Sequence, residues 1–70
     1  MLRIQVTSFR RIVEPGNLEA GIVEVNADAN AFLATIPAID VGEVQTQTTL
    51  AGKYGERLMH MVSVYYVKDV

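Results

Sequence analysis

Residues 18–36 read LEAGIVEVNADANAFLATI, and the fold turns on whether this stretch is one helix or a strand followed by a helix. Leu18, Ile22, Val25, Ala29, Phe32 and Ile36 are spaced three or four apart, which places them on one helical face. Against that, Gly21 and the β-branched Ile22, Val23 and Val25 are poor helix formers, and Ile22-Val23-Glu24-Val25 reads locally as strand. Asn26 ahead of Ala27-Asp28-Ala29 supplies a capping side chain and an early carboxylate suited to the helix dipole. The expectation is a strand over 19–25 and a short helix over 27–36, with one long helix as the alternative. Pro37 ends the helix either way, because it disfavours α geometry at Ile36.

Upstream, Leu2, Ile4 and Val6 alternate with Arg3, Gln5 and Thr7, as in a half-buried strand. The phase slips after Ser8, since Phe9 and Val13 are odd-numbered, so the strand is expected to end or to carry a bulge near residues 7–9. Glu14-Pro15-Gly16-Asn17 predicts a reversal of type II, with Pro presetting φ and Gly supplying the positive φ of the third position.

Downstream, residues 42–50 alternate Val44, Thr46, Thr48, Leu50 against Glu43, Gln45, Gln47, Thr49, a strand whose polar side suits a sheet edge or a subunit contact. Ala51-Gly52-Lys53-Tyr54-Gly55 has the composition of a hairpin loop. The last strand, 57–68, is apolar on both faces, with Leu58, Val62, Val64 and Tyr66 on one and Met59, Met61, Tyr65 and Val67 on the other. That marks a central strand covered on both sides. The fold class is therefore α+β: a small antiparallel sheet of about four strands with one helix on one face, in the order ββαββ, or βαββ if the helix is the longer one. One helix covers one face, so a second copy of the sheet is the expected cover for the other.

The chain has 70 residues and no cysteine. That length holds a single domain, 1–70, and a core of this size is marginal without disulfides, metal or oligomerisation. No apolar run approaches the roughly 18 residues of a spanning helix and no secretory leader opens the chain, so a cytoplasmic protein with no membrane contact is expected. Net charge is −2, and every Lys and Arg lies outside residues 12–52. Arg3, Arg10 and Arg11 stand near one end and Lys53, Arg57 and Lys68 near the other, so a basic face forms if the terminal segments pair. An ordinary solvated surface is the alternative.

Candidates for chemistry are few. His60 is the only histidine, no His or Asp pair has ligand spacing, and Ser63 at an odd offset points to the opposite strand face, so neither a metal site nor a catalytic dyad is expected. An anion donor or a structural histidine are the two roles left to His60. Gly52-Lys53 is not a phosphate loop, because Gln47 and Tyr54 stand where that pattern needs Gly and Ser or Thr. Lys53 and Tyr54 between glycines do combine backbone N–H groups, an ammonium and a stacking ring, which suit a small phosphorylated ligand; a plain hairpin turn is the competing reading. Arg57, Arg10 and Arg11 add bidentate donors if they converge, and Tyr65 adds a ring for packing or stacking. The acidic balance and the lack of a basic helix disfavour duplex nucleic acid.

The opening strand 2–9, the stretch Asn30-Ala31-Phe32-Leu33 and the closing Met61-Val62-Ser63-Val64-Tyr65-Tyr66 together resemble a family of very small Cse-type sporulation proteins that also occur in phages. The likeness covers about half the chain and departs from it over residues 10–25, where this chain is longer. Some small phage proteins of similar look are sponges that sequester the cyclic nucleotides of antiviral defence. The resemblance thus implies a cyclic nucleotide held between subunits and released unchanged in the host cytoplasm. Dodecin-like flavin binders are a second comparison, weakened by the absence of tryptophan. The expected function is a non-catalytic homo-oligomer that binds a small anionic ligand, a nucleotide above all, without a cofactor. A protein-interaction module acting through its sheet face or edge strand is the alternative.

Overall fold

A computed structural model describes all residues, Met1–Val70. Strand β1 (Leu2–Val13) leads through a single 3-10 turn (Pro15–Asn17) into helix α1 (Leu18–Leu33), and a second 3-10 turn (Ala38–Asp40) leads into β2 (Val41–Ala51) and β3 (Arg57–Asp69). The strands form one antiparallel sheet in the order β1-β3-β2. The architecture is α+β with one helix on a three-stranded sheet, in the order βαββ, and not the four-stranded ββαββ arrangement.

The missing strand is the first half of α1. Residues 19–25 are helical, and the helix starts at Leu18 instead of Ala27 and stops at Leu33. Magnitudes explain the outcome. Gly21, Ile22, Val23 and Val25 together cost roughly 2–3 kcal/mol of helix propensity. Burying each large side chain of the inner face returns roughly 1.5–3 kcal/mol, and Val25 is 1% exposed, Ala29 3%, with Leu18, Ile22, Phe32 and Leu33 half-buried. Gly21 serves the packing: a Cβ built there lies 2.8 Å from Val13 Cγ1, so only glycine allows the first turns to approach β1 this closely. The helix stops before Pro37, with Thr35 Oγ1 donating to the Phe32 carbonyl at 2.7 Å.

β1 runs without a bulge. It pairs one-for-one with β3 from Leu2 opposite Asp69 to Val13 opposite Leu58. The phase slip is a change of face: Phe9 and Val13 point to the helix, whereas Leu2, Ile4 and Val6 point to the other side and stay exposed. The one register shift lies at Val41–Glu43 of β2. At residues 14–17 the Asn17 amide donates to the Glu14 carbonyl at 2.9 Å, but Gly16 keeps a negative φ, so the turn is a 3-10 turn and not type II.

Strand β3 is central, bonded on both edges, and holds the buried Val62, Val64, His60 and Ser63. On the helix side Phe9 and Val62 pack against Val25 and Ala29, and Phe32 bridges to Phe9 and Tyr66 at ring distances of 5.6 and 5.4 Å. The helix lies over β1 and β3 and leaves most of β2 uncovered. The result is a slab of 43 × 20 × 14 Å with 4990 Å² of accessible surface, against about 4,300 Å² expected of a compact monomer of this mass.

Gly21→Ala tests the close approach. The substitution gains about 1 kcal/mol in helix propensity but forces Val13, a stiff β-branched neighbour, to move, and overpacking of this kind costs about 1–3 kcal/mol. The expected denaturation midpoint is lower than that of the unsubstituted chain, with Val13→Ala suppressing the extra loss in a double-mutant cycle. A raised midpoint would show that propensity alone governs this position.

Candidate functional site

Alternation along three paired strands sorts the candidate residues onto two faces. His60 and Arg11 fall on the helix side, while Arg10 and Tyr65 fall on the open side, beside Met61 and Val6 respectively. Lys53 and Tyr54 stand on the β2–β3 loop, and Arg57 opens β3. The candidates do not converge. Arg57 and Tyr65 are eight residues apart on one strand, about 26 Å, and the rows holding Arg10 and Tyr65 are separated by about 13 Å.

Several are also engaged internally. Arg11 Nε lies 2.9 Å from Glu24 and its Nη2 3.8 Å from Asp28, tying β1 to α1. Arg57 Nε lies 3.2 Å from Glu14. All these side chains are about half exposed, so each pair contributes no more than about 1 kcal/mol. His60 is buried in the inner layer, with Nδ1 3.0 Å from Thr48 Oγ1 and Nε2 without a partner. Its burial and its contact with Thr48 suit a structural role. Ser63 faces the other way and exchanges a 2.9 Å hydrogen bond with Ser8. No cluster of His, Cys, Asp or Glu stands ready to hold a metal ion.

The Lys53–Tyr54 loop does form an anion cradle, and the chain fills it itself. Gly52 and Gly55 take φ of +87° and +70°, the left-handed region that favours glycine, and this curls the loop around the Glu56 carboxylate. The Tyr54 amide donates to Glu56 Oε2 at 2.8 Å, while the Lys53 ammonium stands 5.5 Å from the Tyr54 ring centre. Residue types alone pointed to the cradle; the acid two positions beyond Tyr54 was the overlooked signal for its occupant.

Three clefts mark the surface. One of about 330 Å³ lies on the open face between Ile4, Glu43, Tyr65 and Val67. One of about 350 Å³ lies at the end of α1, where Phe32, Ile36, Tyr66 and Lys68 meet Asp40 and Asp69. A groove of about 170 Å³ separates α1 from β2. Tyr65 is the sole expected site residue that lines any of them. Lys68, Phe32 and Tyr66 at the second cleft were not among the expected site residues, and the basic terminus next to the Tyr65-Tyr66 pair was the signal for them. The larger feature is the open face itself, where Leu2, Ile4, Val6 and Ile12 of β1 stand 54–78% exposed beside half-buried Met59, Met61, Tyr65 and Val67 of β3.

No helix is long and apolar enough to cross a membrane. Comparison with known protein families, curated proteins and solved structures yields no match to this chain.

The loop carries its own test. Hydrogen bonds from the backbone amides of Glu56 and Tyr54, with Arg57 adding charge, hold the Glu56 carboxyl below its ordinary value of 4.5. A depressed folded value means that this contribution to loop order is present above the ordinary value and fades as pH falls through the lower one. A carboxyl-carbon NMR titration is expected to show Glu56 ionising below its ordinary value of 4.5, with the Tyr54 amide shift following it and Glu56→Gln abolishing that response. Titration of Glu56 at its ordinary value, with the Tyr54 amide unresponsive, would contradict the cradle.

Proposed function

We propose that the chain is the subunit of a non-catalytic binding protein that works as a homo-oligomer, closed through its open sheet face. The observation that carries this reading is the uncovered apolar row Leu2, Ile4, Val6, Ile12 on a chain whose fully buried core is four side chains, Val25, Ala29, Val62 and Val64. Burying each large member of that row is worth roughly 1.5–3 kcal/mol, comparable in sum to the whole stability of a domain. At the centre of the face Ser8 and Ser63 bond each other, so covering them strands little polarity.

A small anion, with a nucleotide as the favoured class, is the ligand that the free cations support. Arg3, Arg10, Lys53 and Lys68 make no ion pair, and Arg10 lies on the open face next to Met61, with the Tyr65 ring further along it. A guanidinium on a face destined for burial needs a counter-charge, and the acids on that side, Glu43 at the cleft and Asp69 at the strand end, stand four or more rows from Arg10. A bound phosphate between subunits meets that need, as in the cyclic-nucleotide sponges that the resemblance suggests.

Native mass spectrometry, alone and with a panel of cyclic and linear nucleotides, tests both halves. The expected result is an oligomer that carries intact nucleotide, drops to a smaller species with Ile4→Asp, and loses about tenfold or more in affinity with Arg10→Ala while staying assembled. A monomer would overturn the reading. An oligomer without adducts would remove the nucleotide and leave a protein-interaction module.

A further inference from the structure

Strand β2 is hydrogen-bonded to β3 along one edge only, and its other edge lacks the devices that normally keep a sheet edge from pairing. Residues 44–50 read VQTQTTL, with no charge, proline or glycine. The one irregularity is confined to Val41–Glu43, and from Glu43 to Ala51 the strand pairs regularly with β3. Lys, Pro and bulges are the usual protections, and this stretch has none of them.

The same seven residues are self-complementary about Gln47. Two copies run antiparallel across a twofold axis at Gln47 would set Val44 opposite Leu50, Gln45 opposite Thr49, Thr46 opposite Thr48 and Gln47 opposite itself. Twofold contacts require this reciprocity, residue i meeting j and j meeting i. Apolar and Thr–Thr cross-strand pairs are also among those that stabilise antiparallel sheets. Val44 and Leu50, 45% and 74% exposed because α1 does not reach over them, would cover each other at both ends of the ladder.

We propose that the free edge of β2 is a docking surface for a second copy of this chain, paired antiparallel in the Gln47-centred register to make a continuous six-stranded sheet. Both helices then lie on one side, and the groove beside α1, lined by Asn26, Asn30, Leu33, Val44 and Thr46, opens onto the partner's β2. The edge is distinct from the open face, so both contacts fit in one particle.

Because the chain has no cysteine, single substitutions report the register directly. Directly opposed residues of an antiparallel pair have Cα atoms about 4.5–5.5 Å apart, within disulfide reach. Gln47→Cys is expected to convert almost completely to a disulfide dimer under mild oxidation. Gln45→Cys alone is expected to stay unlinked, because its own copy lies four residues out of register, whereas a mixture of Gln45→Cys and Thr49→Cys is expected to give the mixed dimer. Gln47→Cys remaining monomeric, or Gln45→Cys linking to itself equally fast, would overturn the proposal. Facing sheets sit about 10 Å apart, beyond disulfide reach, so packing through the open face cannot mimic the result, and either contact can fail without the other.

Discussion

Strand β3 is bonded to neighbours on both edges and apolar on both faces, while the chain has one helix with which to cover it. This mismatch between two apolar faces and one cover governs the structure. On the covered side Val62 packs against Val25 and Ala29 of α1 with Phe9 beside it, and Val64 is fully buried. On the other side Met59, Met61, Tyr65 and Val67 continue onto the exposed row of β1. A slab with an excess of surface for its mass follows from this arrangement.

The two-sidedness of β3 was legible because its apolar residues occupy both parities, and no one-sided strand has that pattern. The hairpin loop was legible through Gly52 and Gly55. Residues 18–25 were harder: the spacing of Leu18, Ile22, Val25, Ala29 and Phe32 matches the face that α1 buries, yet Gly21 and the β-branched residues argued for strand. Local propensity lost because it is worth a few tenths of a kcal/mol per residue, whereas burial against β1 and β3 is worth several times more. Gly21 misled because glycine reads as a helix breaker in isolation and as clearance when a strand side chain lies 2.8 Å from its missing Cβ. In β1 the change from even to odd apolar positions has two meanings, a bulge or a change of face, and only the partner strand's register separates them.

The site was less legible than the fold, since convergence of side chains distant in sequence is a tertiary property. Arg10 and Arg11 are adjacent in sequence and for that reason fall on opposite faces of β1, one toward the open side and the other toward Glu24 and Asp28. Arg57 is held by Glu14 and the loop donors by Glu56. Among the free surfaces, the open face carries the exposed apolar row and β2 carries an unpaired edge. In the proposed assembly a second copy covers both, which would tie assembly to function in a chain of this size.

The most direct test of that dependence is the thermal midpoint followed over about a hundredfold range of protein concentration, since association with the folded form alone makes stability concentration-dependent. A midpoint that rises steadily with concentration, with the monomeric species the least stable, is the predicted result. A constant midpoint for a particle of monomeric mass would show that the open face is stable in water, and would contradict the account.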